Sequence, residues 1–333
     1  MPRFLIVRAD CDSGRGTRGL NLYRFLAIYH GRRSVELISS SRVKHGGPRS
    51  CDVLFVGMPT RLAKDDLAGM RFRRAVLFDY LDEPAANWGA SDRDFFLSLT
   101  HHYWKAWTEP GWDNGLRFGV LPIRRHAGLS WYLRCRRALP WMANAGDERR
   151  DYDVAFIGSA SGARGLNQRV EWLRELRGSG DRFRFWGGLV GSAEARRRVE
   201  TGVGDCAGLF YGRHRVKFYT YFRHLLRSRV ALTPAGNARW SYRHYEAIYA
   251  GATLVTADFR QASTLIPLPV DGMVHVPDGA PVTAHVAQAL AWRRRCPELA
   301  EANVRFLEQY LHDGDYTRSK PALMDRFLAQ LDG

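Results

Sequence analysis

Short apolar runs alternate with longer polar or amphipathic stretches along most of the chain, the pattern of strands and helices taking turns. In the first half, runs at residues 3–9, 34–38, 52–57, 75–78, 105–108 and 118–121 predict strands, and 20–29 predicts a helix with Leu22, Phe25, Leu26 and Tyr29 on one side. After residue 150 the pattern restarts. Strands are predicted at 153–157, 183–186, 230–233, 253–256 and 274–276, and helices at 167–176, 216–227 and 242–250. In the helix at 216–227, Phe218, Tyr221, Phe222 and Leu225 make an apolar stripe expected in the core. A helical tail follows over 284–295, 298–312 and 322–331. Apolar runs separated by helices imply parallel sheets covered on both faces. Residues 133–150 mix Arg clusters with Pro140, Asn144 and Gly146, and form the expected linker between two such halves.

The stretch 229–258 carries the most chemistry. Its first strand closes at Pro234, a loop Ala235-Gly236-Asn237 follows, Ser241 suits an N-cap, and Gly251 stops the helix before the next strand. In such a strand, loop, helix, strand unit the loop and helix N-terminus lie at the C-terminal edge of the sheet, where free N–H groups and the helix dipole favour phosphate. Arg243 falls in the first helical turn, placed for a forked contact to a diphosphate. Glu246 is three residues on, on the same face, where a carboxylate can accept hydrogen bonds from a pair of sugar hydroxyls. The plain alternative is a surface ion pair between the two.

The run Leu225-Leu-x-Ser228-x-Val-Ala-Leu-x-Pro234-x-Gly236, then Ser241-x-Arg243-x-x-Glu246-Ala247-x-x-x-Gly251-x-x-x-Val255, resembles the donor-binding segment of exostosin-like (family 47-like) glycosyltransferases. It is similar to the corresponding part of other GT-B enzymes. The resemblance implies that Glu246 contacts the ribose and Arg243 the phosphates. It implies an α/β chain with two Rossmann-like domains facing across a cleft: an acceptor domain over 1–145, a nucleotide-sugar domain over 146–312, and a C-terminal helix over 313–333 crossing back to the first. Gly158-Ser159 resembles the first loop of the C-terminal domain, which approaches the donor phosphates, and Arg164 and Arg169 stand at the front of the next helix. The implied donor set is Gly158, Ser159, Arg164, Gly236, Arg239, Arg243 and Glu246. Gln261-Ala-Ser-Thr264 leaves the second strand on the same side and is expected to line the donor pocket.

The implied reaction moves a sugar from a nucleoside-diphosphate sugar to an acceptor hydroxyl of a glycan or lipid-linked saccharide, as in glycan or surface polysaccharide synthesis. An inverting enzyme needs a base for that hydroxyl, and Asp10 and Asp82 are the candidates. The leaving diphosphate would be met by positive charge instead of metal, and no cofactor is implied. Asp92-x-Asp94 has the form of a metal-binding pair, but acids at the front of a predicted helix read better as a cap. The acids of Asp79-Tyr-Leu-Asp82-Glu83-Pro84 leave a strand end beside a Pro, where a turn or cap is the plain alternative.

Composition narrows the field less. A chain of 333 residues with 45% apolar content suits two domains, and its formal charge of +16, mostly Arg, favours anionic partners without choosing among them. A DNA-modifying glycosyltransferase and a non-catalytic basic nucleic-acid-binding protein stay open on that ground, as does peripheral contact with an anionic membrane surface; paired nucleotide folds speak against the bare binding module. Gly14-x-Gly16-x-x-Gly19 after the first strand leaves an NAD-dependent enzyme open too, although Glu36, the acid about 20 residues on, falls inside the second strand. Five scattered cysteines support neither a disulfide framework nor a zinc site. With no apolar run of about 20 residues and no secretory start, the expectation is a soluble cytoplasmic protein.

Overall fold

Two parallel sheets organise the chain, each of six strands. The computed structural model describes residues 3–9, 18–80, 85–89, 91–112, 115–122, 149–160, 165–212, 216–236, 238–308 and 321–332. Asp10, Asp82, Arg164, Asn237 and the linker at 133–148 lie outside the described residues. Two compact units result, one of Met1–Tyr132, Gln261–Pro267 and Glu308–Gly333, the other of Leu133–Arg260 and Leu268–Leu307.

The first unit runs β1 (Phe4–Arg8), α1 (Arg18–His30), β2 (Val35–Ser39), α2 (Ser40–Lys44), β3 (Arg49–Gly57), α3 (Lys64–Leu67), β4 (Met70–Phe78), α4 (Arg93–Leu99), β5 (His102–Lys105) and β6 (Arg117–Val120). Its sheet order is β2-β1-β3-β4-β5-β6. Glu36 is spent inside β2 on an ion pair with Arg49, at 2.6 Å. Asp92 Oδ1 accepts the Phe95 N–H at 3.0 Å and caps α4, which accounts for that acidic pair without a metal.

The second unit runs β7 (Tyr152–Ser159), α5 (Leu166–Gly178), β8 (Phe185–Val190), α6 (Ala193–Val203), β9 (Phe210–Gly212), α7 (Phe218–Leu226), β10 (Ser228–Thr233), α8 (Tyr242–Tyr249), β11 (Thr253–Ala257), β12 (Met273–Val276), α9 (Val282–Arg295) and α10 (Leu299–Glu308). Its order, β12-β11-β10-β7-β8-β9, places β8 on one side of β7 and β10 on the other. That is the strand order of dinucleotide-binding folds, and its switch point lies between β7 and β10. Tyr221, Phe222 and Leu225 of α7 are buried as expected, with Phe218 half-buried.

The last helix, α11 (Pro321–Ala329), belongs to the first unit. Phe327 packs at ring-centroid distances of 5.0 Å from Trp104 and 5.2 Å from Phe25, so the tail completes that core. Gln330 then acts as a substitute strand for β6, accepting from Val120 N–H at 2.6 Å and donating to Val120 O at 3.1 Å.

Several expectations shift. The strand expected at 105–108 is His102–Lys105, because Lys105 is neutralised inside the sheet and Thr108 leaves it to form an antiparallel bridge with Ser263. That bridge, with N···O distances of 3.0 and 2.7 Å, joins Gln261–Thr264 to the first unit. The strand expected at 183–186 runs instead over Phe185–Val190. Gly187 and Gly188 continue it because a side chain at Gly187 would put Cβ 1.8 Å from Phe156 O, so only glycine permits the pairing with β7. Neither α6 nor the three-residue edge strand β9 was legible as a run. The helix expected over 298–312 is described as Leu299–Glu308. Among the described residues no helix is long and apolar enough to cross a membrane.

Candidate functional site

The crevice between β7 and β10 is closed by side chains from the front of α5. Gln168 Oε1 accepts the Ala235 N–H at 2.7 Å. Arg169, 8% exposed, donates from Nη1 to Ser159 O at 2.8 Å and from Nε to Ala235 O at 3.2 Å. One guanidinium therefore ties the end of β7 to the loop after β10. The loop approaches so closely that a Cβ at Gly165, whose φ is +71°, would stand 2.3 Å from Gly236 O. Gly158, Ser159 and Gly236 are in this way gathered at one switch point, although they are far apart in sequence.

Arg243 opens α8, beyond β10, and its guanidinium carbon lies 5.4 Å from the ring centroid of Phe156 on β7. It reaches across the switch point. Glu246 is 4% exposed and sits inside the helix face instead of on the surface, so the surface-pair alternative fails. Burial, with Arg243 nearby, pulls Arg169 down to about 10. Two guanidinium groups therefore share a half-buried region, an arrangement that a bound anion would relieve. Arg239 donates to Asp258 O at 3.0 Å and to Asp278 Oδ2 at 2.9 Å, and so pins the loop before α8 to the ends of β11 and β12.

The start of α8 is held in an unexpected way. Ser241 occupies the N-cap, but its hydroxyl is buried with no partner among the described residues. The bond runs backwards: the Ser241 N–H donates to His244 Nδ1 at 2.9 Å. His244 Nε2–H then donates to Thr256 Oγ1 at 2.8 Å, and that hydroxyl donates to Thr233 O at 3.2 Å. The chain couples α8 to β10 and β11. Burial, with Arg243 adding to it, holds His244 down at about 3.

A pH dependence follows. An unfolded histidine takes up its proton near 6.5 and this one only near 3, so its contribution to stability is complete above about 6.5 and is lost as pH falls toward 3. The second unit should weaken by up to about 1.4 kcal/mol per pH unit across that window on account of this residue. Urea melts of wild type and His244→Asn at several pH values should differ in slope by one proton; equal slopes would show that the ring is protonated in the folded state.

Gln168 and Arg169 matter because of backbone groups they reach across the fold, an N–H for the first and two carbonyls for the second, and no motif marks them beyond a place in the first turn of α5. His244 is likewise legible only once Thr256 is beside it. Among the described residues no three His, Cys, Asp or Glu side chains are grouped to hold a metal ion.

No protein-family model and no curated protein sequence matches the chain. Solved structures do. A glycosyltransferase from Rickettsia africae ESF-5 is similar at 11% identity over 99% of this chain and 98% of that one, with a TM-score of 0.53. A trehalose-6-phosphate synthase is similar at 13% identity over 99% of both chains, also with a TM-score of 0.53. The N-terminal domain of Candida albicans trehalose-6-phosphate phosphatase is similar at 11% identity over 99% of this chain and 97% of that one, with a TM-score of 0.52. At such identities the likeness is one of fold, and the fold is GT-B: α/β with two parallel six-stranded sheets.

Proposed function

We propose that this chain is a GT-B glycosyltransferase that transfers a sugar from a nucleoside-diphosphate sugar to an acceptor hydroxyl, using a donor site at the β7/β10 switch point. The observation that carries the reading is the convergence there of Arg243 and the Arg169-locked loops, with Glu246 buried three residues further along α8. The diphosphate takes the crevice bounded by Gly158, Ser159 and Gly236, with Arg164 on the loop outside the described residues. Arg243 and the N-terminus of α8 neutralise the charge that grows as the glycosidic bond breaks, in place of a metal. Glu246 accepts hydrogen bonds from the ribose hydroxyls, the role implied by the exostosin-like segment. Arg239 serves the site by holding its loop.

The acceptor is a glycan or lipid-linked saccharide, and Asp10 and Asp82 are the candidate bases for its hydroxyl.

Glu246→Ala tests the donor site. Losing a charged acceptor to two hydroxyls should weaken nucleotide-sugar binding by about tenfold to a hundredfold. Calorimetry against a panel of uridine, guanosine and thymidine diphosphate sugars reads this directly. A variant that keeps wild-type affinity for whichever donor binds, or a wild type that binds none of them, would overturn the assignment.

A further inference from the structure

A second cavity of about 710 Å³ lies in the same unit, along the free edge of β12 and one face of α9. It is separated from the donor crevice by position in the sheet, because β11 stands between β10 and β12. Its volume falls in the range of small-molecule pockets. Arg260, His275, His285, Gln288, Trp292 and Arg295 supply its polar and aromatic lining, and no carboxylate belongs to that lining. His285, Gln288, Trp292 and Arg295 recur at i, i+3, i+7 and i+10 along α9 and so share one face of it.

Each polar group has a defined state. Arg260 is clasped by Asp258 through Nε at 3.0 Å and Nη2 at 2.6 Å, which uses one edge of the guanidinium and leaves Nη1 outside the pair. His285 Nδ1–H donates to Pro281 O at 2.8 Å, so its Nε2 is the free ring nitrogen. The His275 side chain is 8% exposed, and its Nε2–H donates to Val270 O at 2.9 Å. A carbonyl can only accept, so the neutral ring leaves a lone pair on His275 Nδ1, which is buried without a hydrogen-bond partner among the described residues. The nearest acid, Asp258 Oδ1 at 3.7 Å, is itself an acceptor. Burial favours the neutral ring. A ligand hydroxyl would supply the donor such an atom lacks.

We propose that this groove binds a monosaccharide bearing an anionic group, with the anion on Arg295 and the free edge of Arg260, the ring face on the Trp292 indole, and a hydroxyl donating to His275 Nδ1. A bare phosphate would leave His275 and Trp292 unused, and a neutral sugar would leave the arginines unused. A phosphosugar and a uronate share the required chemistry. The site is independent of the donor reading: it uses none of the residues at the β7/β10 switch point.

Calorimetry on the full chain with glucose 6-phosphate, glucuronate, glucose and inorganic phosphate tests it. Saturable binding of one or both acidic sugars is expected, at least about tenfold tighter than glucose or phosphate alone, and the arm that binds identifies phosphate or carboxylate as the anion. Arg295→Ala, a change at an exposed side chain, should cost about tenfold or more with an unchanged melting temperature, while Arg243→Ala should leave the affinity intact. Failure of both acidic sugars to bind the wild type would overturn the proposal. So would binding that Arg243→Ala abolishes and Arg295→Ala spares, which would move the sugar to the switch point.

Discussion

Lys105→Met should destabilise the first unit by about 3–5 kcal/mol, the cost of leaving one member of a buried pair without its partner. Lys105 ends β5 and Asp79 follows β4, and both side chains are 0% exposed. Lys105 Nζ lies 2.8 Å from each Asp79 oxygen and 3.1 Å from Ala85 O, and Tyr103 OH donates to Asp79 Oδ2 at 2.7 Å. The carboxylate is thus solvated entirely by protein. Removing the ammonium strands a charge where water does not reach, whereas Lys105→Met with Asp79→Leu removes both charges and should recover most of the loss. Hydrogen exchange resolved by unit is the suitable measurement, because two units need not unfold together. A loss below about 1 kcal/mol in the single variant would mean that water enters and the pair behaves as a surface one. The same ammonium holds Asp79 and Ala85, which flank Asp82 in sequence, so the single variant should also lose activity if Asp82 is the base.

Arg243→Ala should lower turnover by about 10²–10³ with a smaller change in KM for the donor, since its partner gains charge only as the bond breaks. Among the described residues the substitution removes no ion pair and one cation–aromatic contact, over Phe156, so the fold should survive it. Arg243→Lys keeps the charge but not the fork, and should fall between. Relief of repulsion with Arg169 works in the opposite direction and would raise stability slightly. Normal turnover in Arg243→Ala, with donor binding intact, would remove Arg243 from the chemistry and leave the phosphate charge to the helix N-terminus and Arg169.

Most of the elements were legible as runs, since a parallel strand buried on both faces is nearly continuous apolar sequence and stands out against its amphipathic neighbours. The failures are instructive. The expected run began at Lys105, yet β5 begins at His102 and ends at Lys105, whose charge Asp79 neutralises inside the sheet. The glycines at 187 and 188 look like a strand end, yet β8 passes through them, because β7 leaves no room for a side chain. Glu246 and Arg243 were legible as a motif, whereas Arg169 was not: its partners are backbone carbonyls, which every residue has, and one of them is 66 positions away.

The sequence by itself determined that the chain is alternating α/β, that the pattern restarts in the second half, and that a strand, loop, helix, strand unit with Arg243 and Glu246 lies there. Those properties follow from periodicity and local turn chemistry, which act over a few residues. Strand order, the switch point between β7 and β10, the locking of two loops by Arg169, the neutral His244 relay and the completion of the first core by Phe327 were decided only in three dimensions. Each depends on which distant segments become neighbours, and that choice is made by the packing of whole helices and strands against one another, not by any local pattern.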